Sequence, residues 1–230
     1  GRTPPCAHAL VEAGVSRVIV AMQDPNPLVA GKGIAYLQQH GIEVSAGLLE
    51  AQALALNPGF VLRMTQQRPF VRVKIAASLD GKTALANGAS QWITSPASRR
   101  DVHHWRARSC AMLTGIGTVL HDDPSLTVRD VDSTRQPVRV IVDSQLRIPL
   151  TAKVLEQGHA IIAYAQAPED KIARLQAVGV QTLALPNTAG QVDIAGLLSA
   201  LAQRQINEVL VEAGAGLNGA LLQAGLVDEL

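Results

Sequence analysis

Apolar residues along the chain fall mostly into short unbroken blocks rather than strict alternation. "SRVIVA" (Ser16–Ala21), "VRVIVD" (Val138–Asp143), "AIIAYA" (Ala160–Ala165), "VQTLAL" (Val180–Leu185) and "EVLVEA" (Glu208–Ala213) are such blocks. They are too short for helices and rich in β-branched residues, so they predict buried strands. "IEVS" (Ile42–Ser45), "AMLTG" (Ala111–Gly115) and the run "FVRVKIAAS" that starts at Phe70 predict more strand. Helix-like stretches lie between the blocks: Cys6–Ala13 closed by Gly14, a short helix ending at Gly41, "LLEAQALAL" bent or ended by "NPG" (Asn57–Gly59), Pro168–Ala177, Ile194–Arg204 and Leu217–Ala224. The clearest helix start is "TSPASRRDVHHWRARS": Ser95 supplies a capping hydroxyl and Pro96 fits the first turn, with Val102 and Trp105 on one face. Strands alternating with helices over short connections predict an α/β architecture. The polar, proline-bearing "QQRP" (Gln66–Pro69) marks a boundary between a domain over residues 1–67 and another over 68–230.

Composition narrows the function classes. The chain has 230 residues, 47% of them hydrophobic, enough for a substantial core. Its formal charge of +1 gives no electrostatic case for nucleic acid. No apolar run reaches membrane-spanning length and no signal peptide is visible. The two cysteines, Cys6 and Cys110, match no disulfide framework, so a reducing, cytoplasmic setting is expected. Both chain ends read as interior points of a longer protein.

Several residues carry candidate chemistry. "VEAGAGLNGALL" contains G-x-G-x-x-G (Gly214, Gly216, Gly219) between a strand and a helix, the context in which glycines admit a phosphate to the backbone. The same spacing also suits a plain tight turn, and these residues alone leave both readings open. Glu212 ends the preceding strand, where ligands of α/β sheets gather. Lys74, within an apolar strand, must snorkel, pair or face a site. Arg106 and Arg129 are candidate phosphate or carboxylate clamps. Asp122 and Asp123 before Pro124 read as a helix-ending turn or an active-site rim. Cys6 opens a helix behind Pro4 and Pro5, a position that suits a metal ligand or a nucleophile. The six histidines show no H-x-x-x-H or H-E-x-x-H spacing and form no local zinc set.

Seven collinear stretches, "GRTPPC", "MQDPNPLVAGKG", "KIAASLDGKTA", "SQWITSPASRRDVHHWRA", "DDPSLTVR", "VIVDSQLR" and "VEAGAGLNGALLQAGLVDEL", resemble the bifunctional pyrimidine deaminase/reductases of riboflavin biosynthesis. The resemblance covers essentially the whole chain. It implies the C-terminal part of a cytidine-deaminase-like α/β/α domain, then a dihydrofolate-reductase-like α/β domain that uses NADPH to convert the ribose of a phosphoribosylamino-pyrimidine into a ribityl chain. Cys6 resembles one of three zinc ligands whose companions would lie upstream of Gly1, so deamination is not expected of this chain. Ala76, Trp92, Thr118, Asp122, Ser144 and the loop Gly214, Ala215, Gly216, Leu217, Asn218, Gly219 and Ala220 fall on NADPH positions. Ser90, Arg106, Leu126, Arg129 and Glu212 fall on substrate positions, with Lys74 or Glu212 as proton-transfer candidates. The resemblance also implies a homo-oligomer for the full-length protein. The alternatives are another dihydrofolate-reductase-like NADPH reductase, or a non-catalytic nucleotide-binding remnant.

Overall fold

A computed structural model describes residues 5–156 and 158–230. Contacts divide the chain into two units, Gly1–Arg68 and Pro69–Leu230.

In the first unit, the "SRVIVA" and "IEVS" blocks form two parallel strands, β1 (Arg17–Val20) and β2 (Glu43–Ala46), in register from Arg17–Glu43 to Val20–Ala46. Helix α1 (Cys6–Glu12) follows Pro5, which offers it no side-chain cap, and Gly14 leaves it at φ +68°. Pro4, read as part of this helix start, lies outside the described residues. Helix α2 (Lys32–Gln39) buries Leu37. "NPG" does not simply end a helix. It separates α3 (Glu50–Leu56) from a further helix, α4 (Pro58–Gln66), for which Pro58 is the first residue. Proline lacks the N–H that a first turn leaves unpaired, so it starts α4 as readily as it stops α3.

In the second unit, the remaining blocks form one six-stranded sheet in the order β3-β8-β4-β5-β6-β7, parallel throughout. The strands are β3 (Phe70–Val73), β4 (Ala111–Gly115), β5 (Val138–Val142), β6 (Ala160–Tyr164), β7 (Gln181–Ala184) and β8 (Glu208–Val211). Their connections contain helices α5 (Pro96–Arg108), α6 (Ile116–Asp122), α7 (Glu169–Ala177) and α8 (Ile194–Gln203), and α9 (Ala215–Gln223) follows β8. Side chains alternate across the sheet, so each face gathers its own core. Leu113, Val140, Val209 and Val211 pack with Leu197, Leu198 and Leu201 of α8 and Leu221 of α9. Met112, Ile141, Ile162 and Leu210 pack with Val119 of α6 and Leu175 of α7. Both faces are therefore covered, which explains why the strands read as continuous apolar blocks.

One expectation changes here. "FVRVKIAAS" is strand only to Val73, although the Lys74 N–H still donates to the Val211 carbonyl at 3.0 Å. Lys74 therefore sits just past the strand end rather than within it. Helix α5 starts as expected, with Ser95 Oγ accepting from the Ser98 N–H at 3.1 Å. Val102 and Trp105 share a face as expected, lining one cavity, with Trp105 packed against the core, while the residues of α5 that are buried are His103 and Arg106.

Leu113 lies in a central strand with no exposed surface, whereas Leu222 on α9 is 48% exposed. Leu113→Ala should cost about 2–5 kcal/mol of unfolding free energy through lost burial and an unfilled cavity. Leu222→Ala should stay within about 0.5 kcal/mol. Urea denaturation of the two variants checks this, and equal effects would contradict the assigned core.

Candidate functional site

Parallel strands put all their carboxyl ends on one rim of the sheet, and ligand sites of open α/β sheets form there. A cleft of about 550 Å³ opens on that rim. Gly115 and Gly117 with Thr118 of α6, Ser144 after β5, and Gly214 with Gly216 at the start of α9 line it. A side chain built on Gly117 or Gly216 would meet nothing within 4 Å, so backbone lies bare toward open space there. Helix α9 also turns its positive end and unpaired N–H groups into the cleft. This surface suits a phosphate chain.

Of the expected cofactor and substrate positions, Ser90, Thr118, Asp122, Ser144, Gly214, Gly216, Leu217 and Ala220 line this cleft. Ala76, Trp92, Ala215, Asn218 and Gly219 do not. Trp92 is 71% exposed, with the Arg99 guanidinium 4.3 Å from its ring centre. Asn218 turns inward, its Nδ2 donating to the Ala213 carbonyl at 3.0 Å, which ties the first turn of α9 to the end of β8.

Beside the cleft stands a buried ion pair. Arg106 donates from Nε to Glu212 Oε1 at 2.6 Å and from Nη2 to Oε2 at 2.9 Å. A third bond runs from Arg106 Nη1 to the Thr127 carbonyl at 3.0 Å. Guanidinium carries five N–H groups, so two stay available to an anion. Glu212 is held by its own backbone: its N–H donates to Leu113, and its carbonyl accepts from Thr114 Oγ1. Gly214 follows two residues later, which puts the ion pair next to the glycine cleft.

The segment that carries Leu126 and Arg129 hangs from side chains outside it. Arg106 takes the Thr127 carbonyl. Gln136 accepts from the Val128 N–H at 2.8 Å and donates to its carbonyl at 3.1 Å. His103 Nδ1 accepts from the Arg129 N–H at 3.1 Å. Leu126 (φ +52°) and Val128 turn into the core, while the exposed Arg129 guanidinium rests on Ser125 Oγ and Thr127 Oγ1. Because Nδ1 accepts, the ring proton of His103 belongs on Nε2, which faces Asp130 Oδ2 at 3.3 Å. Burial, reinforced by the Arg106 charge, pushes the His103 pKa below its ordinary value, and Asp130 opposes the shift.

Lys74 lines a separate cavity of about 270 Å³ with Arg72, Trp105 and Glu229. Arg72 there donates to Glu229 at 2.8 Å and lies 4.2 Å from the Trp105 ring centre. That hydrogen bond holds the Glu229 pKa below the usual carboxylate range. Cys6 is exposed. Among the described residues no group of three or more His, Cys, Asp or Glu side chains comes together to hold a metal. No described helix is long and apolar enough to cross a membrane.

The family model for the RibD C-terminal domain matches residues 69–230. The chain belongs to the RibD C-terminal domain family. Similarity to RibD proteins extends over the remaining residues as well. The chain is 49% identical to the riboflavin biosynthesis protein RibD of Escherichia coli, aligning over 100% of its own length and 65% of that protein's. It is also similar to the solved structure of Acinetobacter baumannii RibD, with a TM-score of 0.88 and 48% identity over 99% of this chain and 63% of that one. A Thermotoga maritima structure, described as a diaminohydroxyphosphoribosylaminopyrimidine deaminase/5-amino-6-(5-phosphoribosylamino)uracil reductase, gives a TM-score of 0.81 and 34% identity over 97% of this chain and 61% of that one. The fold of the RibD C-terminal domain is the dihydrofolate-reductase-like one implied by the sequence motifs.

Two residues that support this site escape a reading of the sequence. His103 is one of an adjacent pair, and nothing local distinguishes it from His104. Gln136 looks like a loop residue. Both act through contacts with a distant backbone segment.

The buried, neutral His103 has a pH consequence. Its folded pKa lies below the unfolded value of about 6.5. Above that value both states hold the ring neutral and the full stability is present. Below it the unfolded chain binds a proton that the folded one refuses, so stability falls as pH falls toward the folded pKa. Thermal melts from about pH 7.5 to about pH 5.5, roughly one pH unit either side of that value, should show Tm dropping below about pH 6.5. His103→Gln, which keeps an acceptor, should flatten that part of the curve. An unchanged slope in the variant would show that His103 is not its source.

Proposed function

We propose that this chain is the NADPH-dependent reductase part of a riboflavin biosynthesis enzyme, reducing the ribose of 5-amino-6-(5-phosphoribosylamino)uracil to its ribityl form. In its full length the same protein would also deaminate the pyrimidine ring. The observation that carries this reading is the glycine-lined cleft at the carboxyl rim, with a guanidinium–carboxylate pair beside it. The RibD relationship and the activities named for the Thermotoga maritima protein support it.

The cleft residues fit NADPH. Gly117 and Gly216 leave bare backbone for the pyrophosphate, and Thr118 and Ser144 offer hydroxyls along the same wall. When bound, NADPH supplies the hydride. The protein's part is to bind, orient and exclude water. The two spare N–H groups of Arg106 and the exposed guanidinium of Arg129 suit the substrate phosphate. Glu212, gripped on both oxygens, serves as an acceptor that fixes Arg106 and offers its remaining lone pairs to substrate hydroxyls. Lys74 is the better proton donor of the two candidates. Its backbone N–H bonds to Val211, so it stands across from Glu212 at the ends of neighbouring parallel strands, and it carries protons to give. Zinc, by contrast, has no fitting site among the described residues, and no deamination step is assigned to them.

Nicotinamide fluorescence titrations test the reading. Folded protein should bind NADPH and turn over the phosphoribosylamino-pyrimidine, and failure to bind NADPH would overturn the proposal. Glu212→Gln loosens the grip on Arg106 and should lower turnover about 10- to 100-fold through misplacement of the substrate. Its NADPH affinity should stay within about twofold, because its side chain does not line the cleft. Lost NADPH binding in that variant would count against the substrate-side place of the ion pair.

A further inference from the structure

Helix α6 turns one face to the cleft at the carboxyl rim, and that face carries the charge of the cleft wall. Gly117, Thr118, His121 and Asp122 are spaced so that they share one side of the helix, and all four line the cleft. The other walls come from residues 84–90, the turn after β5, residues 191–194 and the start of α9. Among the described lining residues, His121 and Asp122 alone are titratable. Asp193 does not line the cleft; it accepts from the Gly196 N–H at 3.0 Å at the start of α8. Arg147 lines an adjoining cavity of about 430 Å³, which shares Ile116, Val142, Ser144 and Gln191 with the cleft. A guanidinium keeps its charge at every physiological pH, so it cannot act as a switch.

The end of α6 is held in place. Val119 is buried in the core. Asp123, just past the helix, accepts from the Lys153 N–H at 2.9 Å, and its other oxygen lies 3.4 Å from Lys153 Nζ. His121 and Asp122 therefore stand on a fixed turn, and His121 Nδ1 lies 2.7 Å from Asp122 Oδ1. A carboxylate accepts and does not donate, so the proton of a neutral imidazole belongs on Nδ1, and Nε2 keeps a lone pair. Among the described residues no hydrogen bond engages Nε2.

Uptake of one proton from solvent changes two things together. Nε2 turns from an acceptor, which repels a phosphate oxygen, into a donor, which binds one. The His121–Asp122 couple also passes from negative to neutral, so the wall no longer opposes an anion. The ring is 75% exposed, so the proton arrives without any movement of the helix. His121 lies one helical turn beyond Gly117, where bare backbone opens toward the cleft. We propose that His121 is a proton-gated phosphate contact of this cleft, donating from Nε2 to the bound dinucleotide when charged and withholding that bond when neutral. This rests on the cofactor reading given above.

Fluorescence titration with NADPH from about pH 8 to about pH 6, where an imidazole changes charge, tests the gate without catalysis. His103 and the phosphate monoester of NADPH also titrate near this range, but both are common to wild type and variants, so the difference between proteins isolates His121. Wild-type affinity should rise toward low pH by about 2- to 5-fold more than that of His121→Gln, the size expected of a partly exposed ion pair. His121→Arg, charged throughout, should run parallel to His121→Gln and bind more tightly by about the same factor. The position is exposed, and thermal melts check that both variants fold. Calorimetry in two buffers of different ionisation enthalpy should show the wild type taking up a larger fraction of a proton on binding NADPH than His121→Gln does. Parallel pH profiles in wild type and His121→Gln, or equal proton uptake, would overturn the role of His121 and leave the cofactor cleft standing. A folded wild type that binds NADPH at neither pH would overturn the cleft reading and this gate with it.

Discussion

The structure depends on where β8 goes. The last strand of the chain with a full ladder inserts between β3 and β4, parallel to both. Parallel pairing forces every carboxyl end to one rim. That single constraint gathers groups scattered over the sequence: Lys74 after β3, Glu212 and the glycine loop after β8, Gly115 and Thr118 after β4, Ser144 and Arg147 after β5. Val209 and Val211 face one core, and Leu210 faces the other. A register slip of one residue would exchange those faces and carry Glu212 away from Arg106.

The Arg106–Glu212 pair illustrates what such a rim costs and gains. Two charges taken from water lose several kcal/mol of hydration each, so a buried pair adds little net stability. Its geometry contributes in another way. The two bonds to Glu212 fix the guanidinium plane, and the third reaches the Thr127 carbonyl. The pair thereby connects a strand end to the segment that carries Arg129. His103, one helical turn away on α5, takes the Arg129 N–H. Helix α5 thus acts as a fixed jig for a segment that has no regular structure of its own, and the rim keeps its shape before substrate is present.

How much of this was legible in the sequence varies by residue. Ser95 and Pro96 announced α5 because capping is a local interaction. Gly214 and Gly216 announced a phosphate-sized opening, but whether it was a cradle or a plain turn depended on what lay opposite. What lies opposite, the α6 turn and Ser144, comes from elsewhere in the chain. Lys74 read as mid-strand because its neighbours are apolar; the ladder stops at Val73 although the lysine N–H still pairs. The burial of Arg106 was not legible, since its partner lies 106 positions away. His103 was missed for the same reason. Periodicity marks which face a helix buries only when that face is apolar, and the buried face of α5 is polar.

The two parts of the rim divide recognition by the kind of group each uses. On the proposed reading, bare backbone around Gly117 and Gly216 accepts any pyrophosphate, because N–H groups and a helix end respond to charge and not to the identity of the nucleotide. Selectivity must then come from side chains at the ends of the bound molecule. Arg106 and Arg129 stand on the β8 side, and Arg147 stands on the β5 side beyond Ser144. Each is presented differently. Arg106 is buried and its plane is set by a carboxylate; Arg147 is exposed and its direction is set by Leu146 and Ile148, anchored in the core on either side of it. A buried guanidinium without Glu212 would be an uncompensated charge, whereas an exposed one needs no counterion while it waits. A guanidinium with no partner among the described residues is therefore tolerated at the outer cavity and would not be at the inner pair, a difference that follows from hydration alone.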